Sequence, residues 1–308
     1  MGHIIGHFTY NKGVSAIDAA LDADALFTPK VTGTLLPNGQ TDTDTFTLYR
    51  EFADGTMSVL NAGVSGRFYD GSYRSICEIA DAMFPNSVRN LKLIDNGKVL
   101  VFVQELEESG YTFADGDRLT TNLMYTASMD SSYKSQIVGF IGRPFCTNQI
   151  PLGQLQVSQK RTKNHDELMF SKALVLSKLS ERFDTFVRNA TLLKMLPLTA
   201  TLKRRILDEV APLAPEGAAT KTVNHRERIR AAIEYHLADE IDTWGNNAHA
   251  LMQAVQSTEF HDLTAGKAQE VKRLDVLTKP EQAQSMTIQT VAMLRQEAAN
   301  QGHVLVGV

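Results

Sequence analysis

Cysteine is almost missing from this chain. Its 308 residues hold two, Cys77 and Cys146, far apart in sequence. That excludes a secreted disulfide framework and points to a reducing cytoplasm. It also excludes a structural zinc site built on converging cysteines. No apolar run approaches the ~18 residues of a membrane span, so no membrane partner is expected. The opening Met1-Gly2-His3-Ile4-Ile5-Gly6-His7 has no basic stretch and no long apolar segment, so it does not read as a signal peptide. Gly6 stands where a myristoylation signal needs Ser or Thr. A P-loop is missing too, because Gly66, Gly71 and Gly97-Lys98 lack the required spacing. There is no internal repeat and no low-complexity tract.

What the chain does have is charge sorted by position. The formal net charge is -4. Residues 1–135 carry 10 Lys+Arg against 17 Asp+Glu, a net of -7. Residues 136–230 carry 16 against 8, a net of +8. Residues 231–308 carry 5 against 10, a net of -5. A polyanion would respond to the basic middle rather than to the average.

The first half alternates like strands broken by turns. Thr43–Glu51 is rich in Thr and aromatics, and Asp54-Gly55 reads as a tight turn into Thr56–Ala62. Val99–Glu105 follows an Asn96-Gly97 turn, and Arg118–Met129 and Gln136–Ile141 are further strands. Tyr73–Phe84 places Ile76, Ile79, Ala80 and Met83 at helical spacing. From about Asn164 onward helical periodicity dominates. A long helix is predicted from Thr162 or Asn164 to near Met195, followed by Thr201–Val210, Asn224–Ile241, Asn246–Gln256 and Glu281–Ala299. Ala211–Thr220, with two prolines and a glycine, is the linker candidate. The fold class expected is α+β and not an OB-fold. Residues 1–160 form a mixed domain, 161–308 a helical one, and 136–230 the basic junction.

Three basic clusters stand out: Lys160, Arg161 and Lys163 beside His165; Lys203, Arg204 and Arg205; and Arg226, Arg228 and Arg230 beside His225. Converging in space, they would track a phosphate backbone, with a log–log salt slope of about -0.7 per neutralised phosphate on a single strand. Such clusters also occur as solvated helix faces or as partners for acidic flanks, and the sequence leaves this open. Sequence-tolerant strand binding needs flat side chains as well. Phe68, Tyr69 and Tyr73, between Arg67 and Arg74, are the candidates, and the polar tips of Tyr69 and Tyr73 favour those two. Phe140 and Phe145, around Arg143, read more simply as core.

Enzyme readings are thinner. Cys146 and His165 lack a visible group to orient the histidine. Asp95 and Glu105 faintly suggest a metal-dependent nuclease, but the lysine such sites usually add is missing. Asp18, Asp22 and Asp24 read as a solvated helix face. The expected mechanism is non-catalytic, with no cofactor and no metal.

The stretch Gly139–Gln149 (GFIGRPFCTNQ), followed by Arg161-Thr162-Lys163-Asn164-His165, is similar to the Cys-Thr-Asn segment and downstream His of a broad phage and plasmid family of unknown function. Val64–Asp70 (VSGRFYD), Lys98–Glu105 (KVLVFVQE) and Leu119–Asp130 fit the same order of elements. More narrowly, the overall plan resembles the Drc-like single-stranded-DNA-binding RNA polymerase cofactors of N-four-type phages. That resemblance implies binding of single-stranded DNA through a fold other than the OB-fold. It also implies recruitment of a phage RNA polymerase to melted promoters, in the cytoplasm of an infected bacterium. It assigns no individual DNA-contacting residue. Polymerase contact is expected on the acidic helices after Glu234. Self-association on DNA is a further expectation. The rival readings are a strand-annealing recombination protein, a nuclease, and a host-interaction protein with no nucleic-acid role.

Overall fold

The computed structural model describes residues 4–68, 71–113, 116, 118–142, 149–173, 179–262 and 285–305. The fold is α+β, with sheets in the N-terminal half and helices in the C-terminal half. Two compact units share the chain. The first comprises Met1–Gly110, Thr120–Ile141 and Pro151–Leu179; the second comprises Tyr111–Leu119, Gly142–Ile150 and Ser180–Val308.

The first unit is built on a six-stranded sheet in the order β1 (Ile4–Val14), β5 (Val88–Ile94), β6 (Val99–Thr112), β7 (Arg118–Ser128), β8 (Ser135–Gly142) and β9 (Gln149–Gln159). β5 pairs antiparallel with both β1 and β6. Every residue of β7 after Arg118 is buried, so this strand is covered on both faces. Phe102 and Tyr125 stack at 4.5 Å on neighbouring strands. Helices α1 (Ala16–Asp22) and α2 (Arg74–Met83) pack on each other. The contact uses Ala16, Ala19 and Ala20 of α1, whose small side chains are all buried. α2 turns Ile76, Cys77, Ile79 and Ala80 inward. The Asp81 carboxylate of α2 accepts from the backbone N–H of Ala16 at 2.6 Å and of Ile17 at 3.1 Å. It thereby closes the N-terminus of α1, where unpaired N–H groups and the helix dipole favour an anion. Asp24 does not extend the solvated face of α1; it lies past the helix at φ 51° and binds Arg50. At Gly13 a Cβ would lie 2.0 Å from the carbonyl oxygen of Asn86, so the end of β1 crosses the chain ahead of β5 where only glycine fits.

A second sheet, β2 (Lys30–Leu35), β3 (Thr41–Glu51) and β4 (Met57–Ser65), is antiparallel throughout. Its anchor is Arg50, 2% exposed, which donates to the Asp24 carboxylate at 2.6 Å. The same guanidinium lies 4.4 Å from the Phe27 ring centre and 4.7 Å from that of Phe52. β1, β2, β5 and β9 escaped the sequence reading, whereas β3, β4, β6, β7 and β8 match it.

In the second unit, α7 (Ala248–Ser257) is the centre: all ten of its residues are buried. Further helices are α4 (Leu179–Met195), α5 (Ala200–Val210), α6 (Thr220–Trp244) and α8 (Met286–Asn300); α7 packs against α6 and α8, and α8 against α5. Asn247, Thr199 and Ser285 cap α7, α5 and α8 through side-chain oxygens. The predicted start of α6 at Asn224 moves back to Thr220. The single helix predicted over 164–195 is described as α3 (His165–Ala173), in the first unit, and α4, with 174–178 outside the described residues. A π-helical turn, Thr258–Asp262, follows α7 and carries Glu259. This carboxylate is 2% exposed and accepts from the Ser285 and Thr287 hydroxyls, both at 2.8 Å, and from the N–H groups of Met286 and Thr287. It is the anion at the N-terminus of α8. Among the described residues no helix is long and apolar enough to cross a membrane.

Candidate nucleic acid interface

In the first unit an isolated antiparallel bridge joins Phe68 to Thr162. It brings together two segments that the sequence analysis singled out separately. Arg67 directly precedes Phe68, and Lys160 and Lys163 lie within two residues of Thr162. Arg67, Lys160 and Lys163 are all exposed. None of the three side chains has an ion-pair partner among the described residues. Lys172 of α3 fixes the strand that leads to Lys160. Its ammonium donates to the Ser158 carbonyl at 2.9 Å and to Gln159 Oε1 at 2.8 Å. Phe170, also on α3, is 52% exposed, an aromatic ring on the same short helix that follows Lys163. Asp166, engaged with His165, and Glu167, exposed, are the opposing charges in the first turn of α3.

Two predicted contacts of this region belong to the interior instead. Tyr73 is fully buried, and its hydroxyl donates toward the carbonyls of Gly97 at 2.9 Å and Lys98 at 2.7 Å. Burial raises its pKa far above the usual phenol value. Arg161 is 6% exposed; it donates to the Gly71 carbonyl at 2.5 Å and lies 5.6 Å from the centre of the Tyr73 ring. Tyr73 meets Phe27 edge-on at 6.3 Å, and Phe27 meets Arg50. Phe52, Arg50, Phe27, Tyr73 and Arg161 thus form a chain of three cation–ring contacts and one ring–ring contact. The chemistry expected at a DNA surface, arginine against aromatic, holds the first unit together from within. Tyr69 and Arg143 lie outside the described residues. Arg74 is exposed, 3.9 Å from Glu78 one turn on.

Most of the cations in the other two clusters are engaged with the second unit's own groups. Lys203 pairs with Glu234 at 3.1 Å, Arg205 with Glu297 at 2.7 Å and Arg230 with Asp208 at 2.9 Å. The Gln301 amide and then Arg205 hold the Glu297 carboxyl below its ordinary pKa. Arg226 donates to the Leu213 carbonyl at 2.8 Å, just past the C-terminal end of α5, where a cation also suits the helix dipole. Arg204 and Arg228 remain exposed, with no ion-pair partner among the described residues. These clusters therefore do not supply a continuous track: Lys203, Arg205, Arg226 and Arg230 act as internal fasteners.

His165 is buried, with Nδ1 2.7 Å from the Asp166 carboxylate. Burial lowers its pKa; Asp166 pulls it up and Arg161 pushes it further down. A group that orients the histidine is thus present, although Cys146 lies outside the described residues. The carboxylates weighed for a nuclease go separate ways. Asp95 sits 2.8 Å from Lys98, and Glu105 sits 4.0 Å from Arg89. Among the described residues no group of three or more His, Cys, Asp or Glu side chains is placed to hold a metal ion.

Phe170 and the bridge between residues 68 and 162 were not read from the sequence. An exposed ring on a short helix with little amphipathic contrast leaves no periodic signal, and a pairing across that many residues leaves none. Compared with family models, curated proteins and solved structures, this chain matches none of them.

Proposed function

We propose that this protein binds single-stranded DNA through the face of its first unit that carries Arg67, Lys160 and Lys163, and that it serves as a strand-holding cofactor for a phage RNA polymerase. The observation that supports the binding is the Phe68–Thr162 bridge, which joins two distant segments that carry the exposed cations Arg67, Lys160 and Lys163. Their role is to neutralise phosphates, and that of Phe170 is to give a base a flat partner. The cofactor role rests on the resemblance described above. No bond is made or broken in this mechanism. Duplex DNA binds less well, because paired bases keep their faces stacked on each other. Holding one melted strand assists a polymerase that opens promoters poorly.

The test is fluorescence anisotropy with labelled single-stranded and duplex oligonucleotides at two salt concentrations. Three phosphate contacts predict a log–log slope of about -2 on the single strand. Equal affinity for the two forms, or none for either, refutes the reading. The cofactor role is tested separately, by transcription with a phage polymerase on a pre-melted and on a fully paired promoter. Absence of stimulation on both removes that role and leaves strand binding to stand by itself.

A further inference from the structure

The 25-residue helix α6 has two faces with different duties. Arg226, Arg230, Ile233 and Leu237 recur at steps of four, three and four, which keeps them on one side. That side is the attached one. Ile233 and Leu237 are buried, and Arg226 and Arg230 bind the end of α5 and Asp208. The opposite side carries Lys221, His225, Arg228 and, seven residues further on, Tyr235, again at steps that hold one stripe. Lys221, His225 and Arg228 are exposed, and no acidic side chain pairs with them among the described residues. Tyr235 is 68% exposed, the most exposed aromatic ring among the described residues. It is steadied from behind: His236 packs against it edge to face at 5.5 Å and is itself fixed by Asp262 at 2.6 Å. Asp239, one turn beyond Tyr235 on the same stripe, ends the cationic run.

We infer that this stripe of α6 is a second binding face for single-stranded nucleic acid, separate from that of the first unit. Charge complementarity names the occupant. Two permanent cations about two turns apart suit an anionic polymer, and an exposed phenol beyond them suits one that also offers flat faces. A folded acidic protein supplies the first property without the second. The inference extends the strand-binding reading above and rests on it for the nature of the ligand. It makes the chain bivalent. A strand long enough to touch both faces gains from effective concentration, whereas a short one does not.

The experiment titrates the full-length protein with labelled oligothymidylate of about 8 and about 40 nucleotides, lengths within and well above a typical single-site footprint. Three variants are compared: Lys221→Ala with Arg228→Ala, Tyr235→Ala, and the triple Arg67→Ala, Lys160→Ala, Lys163→Ala. The expected result is two short strands per wild-type chain and one per chain in the α6 double variant and in the triple variant. On the long strand the α6 double variant reduces the salt slope by about 1.4. Tyr235→Ala weakens binding at the α6 face about 5- to 150-fold. Lys221→Arg with Arg228→Lys retains binding; if it does not while thermal melting is unchanged, the phosphate role is wrong. Loss of all binding in the triple variant with none in the α6 variants overturns this inference and leaves the first unit's site standing. The reverse pattern overturns the first site and keeps this one. No binding by wild-type protein removes both.

Discussion

Arg161 and Lys163 are two residues apart, and alanine at each is expected to give opposite phenotypes. Arg161 is 6% exposed, donates to the Gly71 carbonyl and lies over the Tyr73 ring. A hydrogen bond from a charged donor contributes about 1.5–3 kcal/mol, and a largely desolvated cation–π contact adds about 1 kcal/mol. Arg161→Ala therefore costs about 2.5–4 kcal/mol, which lowers the melting midpoint by roughly 5–15 °C in a unit of this size. Any loss of DNA binding in that variant should follow the unfolded fraction and disappear when the assay is cooled. Lys163 is exposed and unpaired among the described residues. Lys163→Ala should leave stability within about 0.5 kcal/mol of wild type. It should reduce the salt slope of strand binding by about 0.7. Differential scanning calorimetry and anisotropy titrations at three salt concentrations read the two effects separately. An Arg161→Ala protein as stable as wild type would show that the interior chain of rings and cations carries no weight. A Lys163→Ala protein with an unchanged slope would release that lysine from the DNA face.

Three further outcomes are expected. Glu259→Ala leaves two backbone N–H groups and two hydroxyls at the start of α8 without their acceptor; it should cost about 3–5 kcal/mol in urea unfolding followed by Trp244 emission, and Glu259→Gln, which keeps one carbonyl oxygen, should cost less. Gly97 holds φ 97° with a notional Cβ 2.8 Å from Arg50 Nη1 and 2.8 Å from the Phe27 ring; Gly97→Ala should cost about 2–4 kcal/mol by thermal melting and disturb the second sheet first. Burial lowers the pKa of His165, so as pH falls below about 6.5 the unfolded chain takes up a proton that the folded one refuses. Stability is fully present above that pH and declines below it; calorimetry from pH 7.5 to 5 should find a shallower decline in His165→Gln.

The sequence conveyed the elements whose signals are local. α2 was legible because Ile76, Ile79 and Ala80 recur on one face, and all three are buried. β3 and β6 were legible through β-branched and aromatic alternation beside turns that the structure retains, as at Gly55 and Asn96-Gly97. β5 was missed because Arg89 and Lys92 interrupt an apolar set, Val88, Leu91 and Leu93, whose alternation is broken near Val88 by an irregularity in pairing with β6. The site was legible in composition and not in direction. Arg67, Tyr73, Arg161 and Lys163 were all picked out. Which of them turn inward depends on carbonyls 24 residues from Tyr73, at Gly97, and 90 residues from Arg161, at Gly71. No window of sequence contains that information. The same holds for the basic block. Its excess of charge was correctly summed, but Glu234 and Glu297 come from the acidic block that follows it, and they neutralise Lys203 and Arg205.

That neutralisation changes what strand binding must look like. A continuous track through all three basic clusters would bind tightly by itself and release steeply with salt. Three cations and one ring, as on the first unit, give a shallow slope and weak affinity for any short strand. A protein of this kind holds a melted region only by adding contacts, either on a second face of the same chain or through neighbouring copies along the strand. The two routes differ in their dependence on protein concentration. Two faces on one chain raise affinity with strand length even when strand is in large excess over protein, because the gain is intramolecular. Neighbouring copies raise it only as the strand fills, and binding curves become steeper. An oligothymidylate length series under both regimes therefore distinguishes them. Length dependence confined to high protein density would assign the extra contacts to a second copy and leave α6 without a role in holding DNA.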